Sequence, residues 1–168
     1  ISSPLTVKTG ADAVLDLGGH SITNAGSGLC AIKVEEGASL VIRGEGKVYG
    51  GGGTNNSCAV IASGRVTIEG GEFSVGPDIK GEGNSCIYCT GGTVIINGGK
   101  FSSEAMYSGK YWVLNAQNGT DSVIIVTGGE FTNFDPSHPQ TDDYPNYVAN
   151  GYKSVAIEGT SNFKVVEG

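Results

Sequence analysis

The chain is poor in several things, and each shortage removes a class of reading. Basic residues number 10 against 17 acidic ones, for a formal charge of −7. A surface of that sign repels phosphate backbones and has no basic stripe, so no nucleic-acid partner is expected. No apolar run approaches the ~20 residues that a bilayer-spanning helix needs, and no membrane partner is expected. The opening Ile1-Ser-Ser-Pro-Leu-Thr-Val7 lacks the charged start of a signal peptide. A first residue other than Met suggests a fragment or a processed product. Only two histidines, His20 and His138, and two arginines, Arg43 and Arg65, are present, so a catalytic or metal-binding cluster has few members to draw on. No metal-ligand spacing appears among the cysteines, and no cofactor is implied.

What the chain does have is a repeated phrase. Val66-Thr-Ile-Glu-Gly-Gly-Glu-Phe73 recurs as Val94-Ile-Ile-Asn-Gly-Gly-Lys-Phe101 and as Ile124-Ile-Val-Thr-Gly-Gly-Glu-Phe131. The phenylalanines lie 28 (101 − 73) and 30 (131 − 101) residues apart, a period that marks stacked repeats. Within each phrase, alternation places Val66 and Ile68, Val94 and Ile96, Ile124 and Val126, and upstream Leu40 and Ile42, on one buried side. Arg65, Thr67 and Glu69 face water. Gly is 29 of 168 residues, and its in-phase placement marks corners between strands rather than disorder. Ala13-Val-Leu-Asp-Leu-Gly-Gly-His-Ser-Ile22 reads as an earlier copy, with Leu15 and Leu17 inward and Ile22 in the place of Phe73. Strands Cys30–Val34, Cys86–Thr90 and Tyr111–Asn115 supply the preceding side, the pattern leaving open whether Ile87 or Tyr88 points in.

Cys30, Cys58 and Cys86 are also spaced by 28 (58 − 30, 86 − 58). They are expected in one column as free, buried thiols, since a bridge between rungs is expected to be strained. Cys86 and Cys89, three apart in a strand, face opposite ways and do not pair. Asn56 and Asn84 are expected to stack at a turn. The acceptor-like Asn55-Asn-Ser57 and Asn118-Gly-Thr120 fall at corners that favour Asn for its left-handed geometry. After residue 131 comes a loop with three of the five prolines, and then Ser154–Ile157 and Phe163–Val166 flank a turn as a closing hairpin. The expected architecture is a single all-β domain, a right-handed parallel β-helix of about five turns over 1–131 with a loop and hairpin cap over 132–168. At ~4.8 Å between strands, that makes a rod on the order of 25 Å tall.

The phrase Leu15-Asp-Leu-Gly-Gly-His-Ser-Ile22, the Gly-Gly-x-Phe corners and Tyr147-Val-Ala-Asn-Gly-Tyr-Lys-Ser-Val155 together resemble right-handed parallel β-helix domains of the pectin-lyase-like type. More narrowly, they resemble those of fibre and surface proteins of gut bacteria and their phages. The resemblance covers nearly the whole chain and implies shape first, because the shared residues are corners and core columns.

Many β-helices cleave acidic polysaccharides with carboxylates set on adjacent strands. The sequence does not offer that arrangement. Asp142-Asp143, the acidic pair with a candidate role, lies between Pro139 and Pro145 and reads as a solvated turn. Arg43 and Arg65 sit at outward positions, where charge keeps a solenoid soluble. The last third gathers Tyr107, Tyr111, Trp112, Phe134, Tyr144, Tyr147 and Tyr152, residues that suit either sugar recognition or plugging an open end. The candidate glycan-binding set is Trp112, Asp142, Asp143, Tyr144 and Tyr147. The expected role is a non-enzymatic structural or adhesive module on a virion surface, with a host-surface glycan and a homotrimer as candidate partnerships. The alternatives are a glycan-binding or glycan-cleaving tailspike fragment, and a secreted or cell-surface adhesin.

Overall fold

The computed structural model describes residues 1–24, 30–51, 53, 57–78, 84–139 and 146–168. The chain climbs in rungs of three strands. The first rung is β1 (Leu5–Val7), β2 (Asp12–Asp16) and β3 (Ser21–Asn24); the second is β4 (Cys30–Val34), β5 (Ser39–Arg43) and β6 (Lys47–Gly50). The third is β7 (Cys58–Ala62), β8 (Arg65–Ile68) and β9 (Glu72–Val75), followed by β10 (Ile87–Cys89), β11 (Thr93–Ile96) and β12 (Lys100–Ser103). A small hairpin, β13 (Met106–Tyr107) with β14 (Lys110–Tyr111), leaves the coil before the fifth rung, β15 (Leu114–Ala116), β16 (Val123–Val126) and β17 (Glu130–Phe131). β18 (Tyr152–Ala156) and β19 (Phe163–Glu167) close the chain.

Three parallel walls result, which we term A (β1-β4-β7-β10-β15), B (β2-β5-β8-β11-β16) and C (β3-β6-β9-β12-β17). Five rungs, or four climbs from first to last, form a β-helix. Every wall strand that pairs with the rung above or below does so in parallel register, so the backbone groups between rungs satisfy one another.

The register builds the columns that the alternation predicts. On wall B, Ala13, Leu40, Val66, Val94 and Ile124 stack, as do Leu15, Ile42, Ile68, Ile96 and Val126. On wall C the column is Ile22, Val48, Phe73, Phe101 and Phe131. Its three rings stack with centroids 5.2 Å apart and planes 11° and 13° from parallel. On wall A, Ile87 is the buried residue and Tyr88 points out, which resolves the orientation that the sequence leaves open.

At Gly98–Gly99 and Gly128–Gly129 the corner between walls B and C needs both glycines, for different reasons. The second takes a positive φ, +100° at Gly71, +106° at Gly99 and +98° at Gly129, a region that side chains with a Cβ avoid. The first lies against the rung beneath: a Cβ on Gly98 would stand 2.7 Å from the Glu69 carbonyl oxygen, and one on Gly128 2.2 Å from that of Asn97.

Three expectations are corrected. Cys30 and Cys58 form a disulfide rather than standing as free thiols. They are direct register partners whose Cα atoms lie 4.5 Å apart, inside the ~4.4–6.8 Å that a disulfide spans, so neighbouring rungs present the two sulfurs without backbone movement. Cys86 does not continue their column. The next rung is shorter by one residue on wall A, where Val60 pairs with Ile87, and a one-residue slip turns a side chain to the other face. Cys86 therefore lies beside Ala59. Burial pushes its thiol pKa up strongly, and burial likewise raises that of Cys89, which donates to the Gly92 carbonyl at 3.1 Å; both remain free and buried. Finally, the fifth strand of wall A is Leu114–Ala116, not Tyr111–Asn115. Ser108 and Gly109, with φ of 50° and 78°, make a tight turn that diverts Tyr111 into the hairpin.

Asn56 lies outside the described residues. Asn84 is buried and works as a backbone staple, its Oδ1 accepting the Ser57 amide at 3.0 Å and its Nδ2 donating to the Gly53 carbonyl at 3.5 Å.

Candidate functional site

The capped end of the solenoid gathers the aromatic and titratable side chains. β19 runs antiparallel to β17, pairing Lys164 with Glu130 and Phe163 with Phe131. On wall B, Val148 bridges Val126, whose amide donates to the Tyr147 carbonyl at 2.8 Å. On wall A, the Ala116 amide donates to the Tyr147 hydroxyl at 3.2 Å. Tyr147 is thus buried in the cap, touching two walls at once. Phe134, also buried, packs on Phe131 at 6.3 Å. Both fill the open end as large buried rings, and the Tyr147 hydroxyl, its polar tip, is satisfied.

Of the candidate glycan-binding set, Tyr147 is the plug just described, and a ring so enclosed meets no ligand without the cap opening. Trp112 lies at the base of the β13–β14 hairpin, edge-on to Tyr107 at 5.7 Å and 80°. Its indole N–H points at the Tyr107 carbonyl, 3.4 Å away. Asp142, Asp143 and Tyr144 lie outside the described residues. The structure therefore brings Trp112 together with Tyr107, and does not join it to Tyr147.

Residues that the sequence reading did not single out as a site meet instead. A cleft of about 250 Å³ opens between the hairpin, which supplies Lys110 and Tyr111, and the turn that supplies Asn133, Phe134, Asp135 and His138. The turn is ordered by Asp135, whose Oδ1 accepts the Ser137 amide at 3.0 Å and the Ser137 hydroxyl at 2.7 Å. Partial burial pushes the Asp135 pKa up, but the Ser137 hydroxyl, Ser154, the Ser137 amide and the His138 charge outweigh it and hold the carboxyl below its usual value of 3.8. The Ser154 hydroxyl acts without a regular hydrogen bond. His138 does not form a nucleophilic relay here. Ser137 at 2.8 Å and Asp135 at 3.6 Å both address its Nδ1, whereas a relay, with the imidazole as base, needs the nucleophile and the orienting carboxylate on opposite ring nitrogens.

A larger groove of about 680 Å³ follows the Gly-Gly corners, with Gly46, Gly71, Gly99 and Gly129 in its floor. Its rim is part of an outward ladder of alternating sign on wall C, Lys47, Glu72, Lys100, Glu130 and Lys164. Opposite charges one rung apart neutralise each other, so this groove offers little net field to a charged ligand. Its size exceeds that of the cleft, but its lining is mainly glycine backbone and side chains of both charges. Among the described residues, no three His, Cys, Asp or Glu side chains stand close enough to hold a metal ion.

Compared with protein families, curated proteins and solved structures, the chain matches none. Its β-helix is therefore established by its own strand pairing. The sequence reading passed over the hairpin, although Ser108-Gly109, a turn dipeptide between Tyr107 and Tyr111, carries its signal. The approach of Asp135 and His138 to it left no sequence signal, because it depends on how the last rung is capped.

Proposed function

We propose that the chain is a non-enzymatic structural and adhesive module displayed outside the cell, in its narrower form part of a phage fibre or virion decoration protein of the pectin-lyase-like kind. The observation that carries the exterior placement is the Cys30–Cys58 bridge between two rungs, since such bonds persist in oxidising surroundings and are rare in the reducing cytosol. Parallel walls that satisfy their own backbones make a stiff platform, and the surface then carries recognition. Wall B supports assembly into a homotrimer: its outward column Val14, Val41, Thr67, Ile95 and Ile125 is β-branched throughout, with Val14 60% exposed. Such a strip suits packing against another copy.

The test is incubation of the chain with a panel of capsular and host-surface polysaccharides, alongside sedimentation in dilute solution. Retention on a glycan without release of reducing ends or unsaturated products is expected, at a mass of three chains of 17.1 kDa. Release of either product sinks the non-enzymatic reading, and a lone chain in solution sinks the trimer. Flanking sequence with a sorting signal would place the module on a bacterial surface as an adhesin rather than on a virion.

A further inference from the structure

We infer that the cleft between the β13–β14 hairpin and the turn at 133–138 binds a single neutral pyranose ring. The inference rests on the adhesive reading and gives it a location and a ligand class. Three features of the cleft point to a sugar. Tyr111, only partly buried, lines one wall and gives a flat face for the C–H side of a ring, with the buried Phe134 beside it. Asp135 is fixed in place by the two Ser137 bonds to Oδ1, while Oδ2 stands 3.6 Å from His138 Nδ1, beyond hydrogen-bond distance. A carboxylate with lone pairs to spare and a locked rotamer accepts sugar hydroxyls well. Lys110 and His138 line the same cleft, and Asn133 is held in a left-handed conformation, φ 52°, with its backbone N–H bonded to Asn162 Oδ1 at 3.2 Å.

Size and charge narrow the ligand. At about 250 Å³ the cleft falls below the ~300–1,000 Å³ of sites for drug-sized molecules, so one ring is seated rather than a chain. Asp135 offsets Lys110 locally, and the whole chain carries −7, which disfavours an anionic sugar. A neutral terminal residue of a host glycan is the chemistry that remains.

The experiment is titration of the chain, followed by amide chemical shifts, with the methyl glycosides of glucose, galactose, mannose and N-acetylglucosamine. Glucuronic acid and choline serve as the anionic and cationic probes. One neutral glycoside is expected to shift the Gly109, Tyr111, Asn133 and His138 amides saturably. Tyr111→Ala and Asp135→Asn should each weaken it about tenfold and Lys110→Ala about threefold, while Lys33→Ala, exposed on wall A, leaves it unchanged. Because Asp135→Asn could loosen the turn, its melting is measured as well, and Tyr111→Ala, on the hairpin, decides independently. Shifts produced only by glucuronic acid or choline, no shift with any probe, or shifts that survive Tyr111→Ala would each overturn the site. A glycoside that binds elsewhere removes this cleft and keeps the adhesive reading, whereas turnover of a glycoside removes the non-enzymatic reading.

Discussion

At the C-terminal end, β19 pairs with β17, Val148 bridges Val126 and Tyr147 reaches both walls A and B; at the N-terminal end, among the described residues, β1, β2 and β3 each have a strand neighbour on one side only. The inward columns differ in the same sense. They finish in Phe131, Val126 and Ile124, all buried, but begin in Ala13, Leu15 and Ile22, which are only partly so. One end thus has its backbone edges and apolar floor covered by three separate devices, and the other leaves both partly open. An uncovered rung is the less protected place in a solenoid, since stability there comes from one neighbour instead of two. The molecule should therefore loosen from its first rung upward.

Matched substitutions give the largest expected effect. Tyr147→Ala should cost about 3–5 kcal/mol in urea unfolding, as removal of a buried aromatic ring does, and Leu15→Ala under about 2 kcal/mol. Equal costs would break the contrast between the ends. Next comes the bridge, which ties the second rung to the third: replacing Cys30 and Cys58 with Ser should cost about 2–4 kcal/mol. The same loss is expected in the native chain under reductant, and a reductant-insensitive unfolding midpoint would remove the bridge from the account.

Hydrogen exchange sharpens the comparison without mutation. The Leu17 amide, bonded to the Arg43 carbonyl, should exchange well before the Val165 amide, bonded to that of Gly129. Equal protection would show the open rung to be as secure as the capped one. A smaller effect follows from acid. The Asp135 pKa is depressed in the folded chain, so its contribution is fully present above its ordinary 3.8 and is lost as pH falls through the lower folded value. The capped end should then weaken in strong acid, and Asp135→Asn should remove that part of the pH dependence of melting. Parallel acid profiles for both proteins would rule it out. Smallest is Lys47→Ala. Its ion pair with Glu72, 3.8 Å long and with both side chains more than half exposed, should be worth under about 0.5 kcal/mol and vanish in high salt.

Walls B and C were legible in the sequence because one phrase contains a strand of each with the corner between them, so period and facing were read together from Val66, Ile68 and Phe73. Wall A was not. Its strands follow connections of changing length, and the spacing of 28 that joins Cys30 to Cys58 misleads at Cys86, where the wall itself steps by 27 (87 − 60). The bridge was missed because facing the same way was weighed as an obstacle, when the short distance between register partners makes it feasible. Of the candidate glycan set, Tyr147 is buried in the cap and Trp112 stands edge-on to Tyr107, and neither lines the cleft. The meeting of Tyr111 with Asp135 and His138 is set by a hairpin and a cap turn that only the assembled last rung brings together.

The steps between walls B and C stay short, at Glu69–Gly71, Asn97–Gly99 and Thr127–Gly129, while the steps from wall C back to wall A range up to the stretch between Val75 and Ile87. Insertions and deletions thus have a designated exit. A lineage could lengthen or shorten those connections, one rung at a time, and inherit the interior unchanged, so that the exterior would diversify much faster than the architecture.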